Sequence, residues 1–151
     1  MVFRLLPTKG ANGQMKSVPT IVKVTAAIIV RDGKILIAQR HPTDRMAGLW
    51  EFPGGKVEAG ETPEACLRRE LKEELAIDVR IGEALGISVY HYDHISIRLM
   101  AYQAFWKRGS IKLSTHRDYR WVNPDQLDLY AFTPADLPFV NKLSRGELEL
   151  K

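Results

Sequence analysis

The chain is poor in several things, and each shortage closes off a class of function. Its 151 residues hold one cysteine, Cys66, so no internal disulfide can form, and a reducing cytoplasm suits it. No apolar run approaches the ~20 residues that a membrane helix needs. The first twenty residues, MVFRLLPTKGANGQMKSVPT, contain only the short apolar pair Leu5-Leu6 and no signal-peptide core. The excess of positive charge is mild, at +4, and the basic residues are scattered along the sequence. That balance would help attract a polyphosphate, but it gives no reason to expect a stable nucleic-acid partner or a membrane surface. Repeats and low-complexity tracts are absent. What remains is an ordinary globular composition, 45% hydrophobic and 26% charged, in a length suited to one domain.

Residues 1–20 show no hydrophobic period and read as a flexible leader, with Met15 as an alternative start; residues 21–151 read as the domain. Ile21–Val30 and Lys34–Arg40 are β-rich runs, and Asp32-Gly33 between them is a tight-hairpin signal. His41–Gly55 reads as a long loop punctuated by Pro and Gly, a length that usually carries function. Thr62-Pro63-Glu64 marks a helix start, with Thr as cap and Pro in the first turn, and the helix is expected to reach about Ala76. Strands follow near 78–92, 95–106 and 119–122. A turn of helix begins at Pro124, and a last helix runs from Thr133-Pro134 towards Ser144. This order predicts an α/β protein, a mixed sheet with helices on both faces.

The first helix carries an oddity. At about 100° per residue, Glu70, Glu73 and Glu74 share one arc, beside the apolar stripe of Leu67, Leu71 and Leu75. Glu70 and Glu74 are like charges one turn apart, which costs about 0.2–0.5 kcal/mol. All three lie at the negative end of the helix dipole. One reading is a solvated acidic patch. The other is a site for a divalent cation, since clustered carboxylate oxygens suit Mg²⁺, with Mn²⁺ as a substitute. Before the helix, Gly54 and Gly55 let backbone approach a ligand, and Lys56 offers a cation to phosphate. His91, Asp93 and His94 read as residues around a strand turn; neither they nor His116 are read as metal ligands. Cys66 reads as a small helix residue, not a nucleophile.

Gly55, Glu61, Arg69-Glu70-Leu71, Glu73-Glu74 and Ala76-Ile77 resemble the signature of the Nudix hydrolases, G-x5-E-x7-R-E-U-x-E-E-x-G-U, where U is a bulky aliphatic residue. Only the late Gly is replaced, by Ala76. AAIIVRDGKILIAQR, GLWEFPGGKVEAGETPEA and TPADLPFVNKL are similar to the MutT-type subfamily and its CTP-hydrolysing relatives, so the resemblance covers most of Val24–Leu143. It implies an α/β/α sandwich, with Mg²⁺ held by Glu70, Glu73, Glu74 and the Gly54 carbonyl. Arg69 would orient a metal-binding glutamate, and Glu61 would brace the loop–helix junction. It also implies a nucleotide pocket lined by Arg40, Arg45, Phe52 and Asp136. The implied reaction is attack of water on the β-phosphorus of a nucleoside triphosphate, giving monophosphate and pyrophosphate.

Two departures stand out. A carboxylate that MutT-like proteins carry before the late Trp is Thr115 here, leaving Asp118 or Glu70 as the base. The Ala76 position costs around 1 kcal/mol if it requires positive φ. The substrate expected is 8-oxo-dGTP in nucleotide-pool cleansing, with CTP or a modified pyrimidine triphosphate as the alternative. A non-catalytic nucleotide-binding module stands against both.

Overall fold

In a computed structural model, residues 20–93 and 95–151 are described; the leader reading of residues 1–20, the alternative start at Met15 and His94 thus lie almost wholly outside the described residues. Seven strands form one mixed sheet. Strands β1 (Thr20–Arg31) and β2 (Lys34–Arg40) meet in the expected hairpin, where Asp32 and Gly33 both adopt positive φ, at 51° and 74°. The long loop predicted over 41–55 instead contains strand β3 (Trp50–Glu51) and the start of β4 (Gly54–Lys56). Helix α1 (Pro63–Leu75) is followed by β5 (Asp78–His91), β6 (Ile95–Arg108) and β7 (His116–Val122). Two 3-10 turns, Pro124–Leu129 and Pro134–Asp136, lead into helix α2 (Leu137–Ser144), so the last predicted helix begins as a tighter turn.

The strand order is β3-β2-β1-β6-β5, with β4 paired to β1 and β7 paired to β2. The β1–β6 pair is parallel and all other strand pairs are antiparallel. Alternation along β1 divides the core. Val22, Val24, Ala26 and Ile28 face α2 and the 3-10 turns, packing with Leu127, Phe139 and Leu143. Ala27 and Ile29 face α1 and pack with Leu67, Leu71 and Leu75. The three helix leucines are fully buried, each contributing about 1.5–3 kcal/mol. The sheet therefore lies between helices, as expected for an α/β/α sandwich.

Both ends of α1 are satisfied locally. Thr62 accepts a hydrogen bond from the Ala65 N–H at the start. At the end, Ala76 takes the left-handed conformation, φ 60°, and its N–H returns to the Lys72 carbonyl. The departure from Gly thus falls where a side chain is strained. The carbonyls of Leu75 and Glu74 accept from the backbone of Lys112 and Ser114, and the Glu73 carbonyl accepts from the Ser114 hydroxyl. These bonds fasten the segment before β7 to the helix end, and so bring His116 beside Glu74.

Candidate active site

The Gly54-Gly55 step sits on β1, and its glycines are required by contact. A Cβ at Gly54 would lie 2.0 Å from the Thr25 carbonyl oxygen, and one at Gly55 would lie 2.1 Å from the Glu70 carboxyl carbon. The helix carboxylate therefore rests directly on the glycine strand. Cys66 closes the same junction, with Sγ 3.3 Å from the Lys56 carbonyl and 3.5 Å from that of Gly55. Burial pushes its thiol up, which fits a packing residue and not a nucleophile.

The three glutamates differ in environment. The Glu73 side chain is 60% exposed, that of Glu70 13% and that of Glu74 4%. Arg69 gathers the outer carboxylates. Its Nε and Nη2 bind both oxygens of Glu61 at 2.7 and 2.8 Å, and its Nη1 reaches Glu70 at 3.0 Å and Glu73 at 3.2 Å. Its Nη2 also donates to the Lys56 carbonyl, tying loop to helix. Glu61 also accepts from the Glu58 N–H, and with Arg69 first among the causes its carboxyl is held at about 2. Burial, with Glu70 and Glu51 alongside, raises the Glu74 carboxyl well above the usual range. A cation among these oxygens would reverse that penalty. Hard carboxylate donors around a glycine shelf with no room for a Cβ fit a divalent ion.

Glu51, which the sequence reading did not single out, and His116, which it set aside as a metal ligand, complete the buried side. Glu51 pairs with Ala38 across β2–β3, and His116 pairs with Arg40 across β2–β7. Ala38 and Arg40 are two apart on one strand, so their partners are brought together. Glu51 Oε1 accepts from Arg40 Nη1 at 2.8 Å, and Oε2 lies 2.9 Å from His116 Nε2. Burial pushes the Glu51 carboxyl up, but the His116 bond and the Arg40 charge outweigh it and hold it at about 2. His116 Nδ1 lies 3.4 Å from Glu74 Oε2. The available signal was a charged residue inside the apolar run LWEF; nothing in the sequence marks His116 as its partner.

The nucleotide-pocket candidates separate by role. Arg40, Arg45 and Asp136 line a narrow, mostly apolar cleft with Glu51, Met46 and Tyr92. Arg40 is buried and held by Glu51, by an ion pair with Asp44 at 2.8 Å and by the Arg45 carbonyl at 2.8 Å. Arg45 is exposed. Phe52 is buried against Phe132, with centroids 5.3 Å apart, and contributes its backbone, whose N–H donates to Asp136 Oδ1 at 3.2 Å. The Thr133 hydroxyl donates to Asp136 Oδ2. Burial, then the Glu51 charge, lifts the Asp136 carboxyl to about 7 against the pull of those donors. Lys56 is exposed at the end of β4. Asp118 accepts from the Tyr119 N–H and pairs with Arg120, so its carboxylate is engaged locally.

The NUDIX domain profile matches residues 24–142. The chain belongs to the Nudix family. It is 40% identical over 120 residues to CTP pyrophosphohydrolase of Escherichia coli, covering 80% of this chain and 89% of that protein. It is 35% identical over 124 residues to 8-oxo-dGTP diphosphatase of Haemophilus influenzae, covering 82% and 91%. The solution structure of the E. coli ORF135 protein superposes with a TM-score of 0.71 at 38% identity, covering 87% of this chain and 91% of that one. This Nudix chain is a hydrolase acting on nucleotides. No helix among the described residues is long and apolar enough to cross a membrane.

Proposed function

We propose that this Nudix hydrolase is a Mg²⁺-dependent nucleoside triphosphate pyrophosphohydrolase that cleanses the nucleotide pool in the cytoplasm, with 8-oxo-dGTP as substrate. The supporting observation is the placement of Glu70 against the Gly54-Gly55 shelf, beside a buried Glu74, next to a cleft lined by buried Asp136.

Glu70, Glu73, Glu74 and the Gly54 carbonyl hold the metal in this reading. When bound, Mg²⁺ neutralises charge developing on the phosphoryl oxygens and sharpens the nucleophilicity of water. Arg69 fixes the rotamers of Glu70 and Glu73, and Glu61 fixes Arg69. Lys56 and Arg45, both exposed beside the site, meet the phosphates. Glu70 orients the attacking water and takes its proton, because it rests on the Gly54-Gly55 shelf beside the other metal-holding carboxylates and Thr115 has no carboxylate. Attack at the β-phosphorus breaks its bond to the oxygen bridging the α-phosphorus. The water oxygen leaves in pyrophosphate, and the nucleoside monophosphate departs with the bridging oxygen.

Arg40 acts through Glu51 and Asp44, shaping the cleft rather than meeting phosphate directly. Asp136 reads the base, and Phe52 holds Asp136 in place through its backbone N–H. Ionised, Asp136 accepts from guanine N1–H and N2–H or from cytosine N4–H; protonated, it also donates. A second reading, CTP or a modified pyrimidine triphosphate, is favoured by the likeness to the E. coli CTP pyrophosphohydrolase. A panel of 8-oxo-dGTP, dGTP, CTP, 5-methyl-dCTP and dCTP with Mg²⁺ separates them. Highest kcat/KM on 8-oxo-dGTP supports the first reading, and highest kcat/KM on a cytosine nucleotide supports the second. Negligible rates throughout would remove both.

A further inference from the structure

The cleft that holds Asp136 contains a second polar group, and its partner is weak. Tyr92 follows β5 and is anchored by its backbone, whose N–H donates to the Ile95 carbonyl at 2.8 Å across the turn into β6. The residue is half-buried, and its ring packs on Tyr90 with centroids 4.6 Å apart. Tyr92 lines the cleft together with Asp136, Met46 and the apolar wall of Val24, Ile97 and Leu99. Among the described residues, the one partner of its hydroxyl is Met46 Sδ, at 3.6 Å. A thioether sulfur is a weak acceptor, so this donor is poorly satisfied for a group at an apolar cleft. Burial, then the neighbouring Tyr90 and Asp136, push the hydroxyl up to about 12, so it keeps its proton through neutral pH and remains a donor. Met46 adopts positive φ, 56°, which is uncommon for a residue with a side chain. Arg40 Nε binds the carbonyl of the preceding residue, Arg45, and holds the segment in place. A constrained backbone thus brings the sulfur to the hydroxyl, on a flexible side chain that a ligand can displace.

We propose that the Tyr92 hydroxyl is a specificity-determining donor that leaves Met46 Sδ for a carbonyl oxygen of the bound base. Asp136 accepts N–H groups of the base and Tyr92 donates to its C=O, so the pair fits bases that carry both. Guanine, 8-oxoguanine and cytosine carry both, whereas adenine has an amino group and no carbonyl. The exchange replaces an O–H···S contact by an O–H···O bond, a gain that only a carbonyl-bearing base supplies. A site built to hydrogen-bond its ligand rejects the analogue that lacks the partner, because its own polar group is left poorly paired. The proposal rests on the reading of Asp136 as the residue that reads the base, and it applies to either of the two substrates proposed above.

The test measures binding of 8-oxo-dGMP, dGMP, CMP and dAMP to the full chain with Mg²⁺ by calorimetry, a readout that needs no turnover. In the unaltered protein, dAMP should bind about tenfold more weakly than the tightest of the other three. Tyr92→Phe keeps the ring and its packing on Tyr90. It should weaken that tightest ligand by about threefold to tenfold and leave dAMP as it was, which a merely structural role for Tyr92 would not do. A melting curve checks that the variant folds; if it does not, the comparison with dAMP in the unaltered protein still decides. The proposal is overturned if dAMP binds as tightly as the best ligand, if Tyr92→Phe leaves that ligand unchanged, or if the variant weakens dAMP equally. No binding of any monophosphate at millimolar concentration would overturn it as well. Pyrophosphate release from the triphosphates is assayed separately. Selective monophosphate binding without turnover would keep the role of Tyr92 and remove the proposed reaction, and turnover with equal losses on all bases would do the reverse.

Discussion

Helix α1 presents two acidic regions, and they solve the same electrostatic problem differently. On the outer side, one cation does the work: Arg69 binds Glu61 through two nitrogens and reaches Glu70 and Glu73. That cluster is partly solvated, and its ion pairs act chiefly to fix geometry. On the inner side, Glu74, Glu51 and His116 are buried together, with Arg40 compensating Glu51. Glu74 remains raised well above its ordinary range there. The outer region is preorganised by the protein's own charge, and the inner one gains most from an added cation.

That contrast can be tested by substitution. The largest effect on turnover is expected from Glu70→Gln, Glu73→Gln and Glu74→Gln, each lowering kcat by about a thousandfold or more if the metal-held water is lost. Only Glu74→Gln should also raise the metal-free melting temperature at pH 8, because it removes a buried carboxylate whose ionisation is disfavoured. Near-normal turnover in Glu73→Gln, or a lower melting temperature in Glu74→Gln, would erase the distinction between the regions.

Next comes Glu51→Ala, which takes from the buried Arg40 one of its two carboxylate partners and from His116 its carboxylate partner. A loss of about 3–5 kcal/mol in urea unfolding is expected from breaking such a buried pair. Glu61→Gln, on the outer side, should cost far less stability. Its ion pair with Arg69 favours folding fully above the unfolded carboxyl value, and that gain is lost as pH falls through about 2.

Asp136→Asn sharpens the comparison at the cleft. The folded Asp136 titrates near 7 against 3.8 for an ordinary Asp, so the native state holds the proton more tightly than the unfolded chain. Its ionisation therefore weakens the fold as pH rises from about 4 to 7. The Asn variant should be more stable than the parent at pH 8 and nearly equal at pH 4, by thermal unfolding. In the unaltered enzyme, the kcat/KM ratio of CTP to 8-oxo-dGTP should change across neutrality, and the Asn variant should flatten that change.

The smallest effect is expected at Ala76. Ala76→Gly relieves a left-handed residue at the helix end and should add around 1 kcal/mol of stability with unchanged kcat.

How far the sequence could be read follows the same division. The outer region is local in sequence: Glu61, Arg69, Glu70 and Glu73 fall within two short segments, and helical spacing places them together. Thr62-Pro63 likewise marks the start of α1, and Asp32-Gly33 marks the hairpin. The inner region is not local. Arg40, Glu51, Glu74 and His116 come from β2, β3, α1 and β7, and only the pairing of β2 with both neighbours unites them. Strands β3 and β4 were hidden because two or three residues beside Pro53 and the glycines carry no period. Phe52 could be read equally as pocket or core. Its side chain packs in the core, and its backbone holds Asp136.

The most direct test is a Mg²⁺-dependent hydrolysis of 8-oxo-dGTP and CTP in water labelled with heavy oxygen, followed by mass analysis of both products. Equal amounts of nucleoside monophosphate and pyrophosphate, with the label in pyrophosphate and no turnover after chelation, are predicted. Label in the monophosphate, release of orthophosphate, or full turnover without a divalent ion would contradict attack at the β-phosphorus by a metal-assisted water.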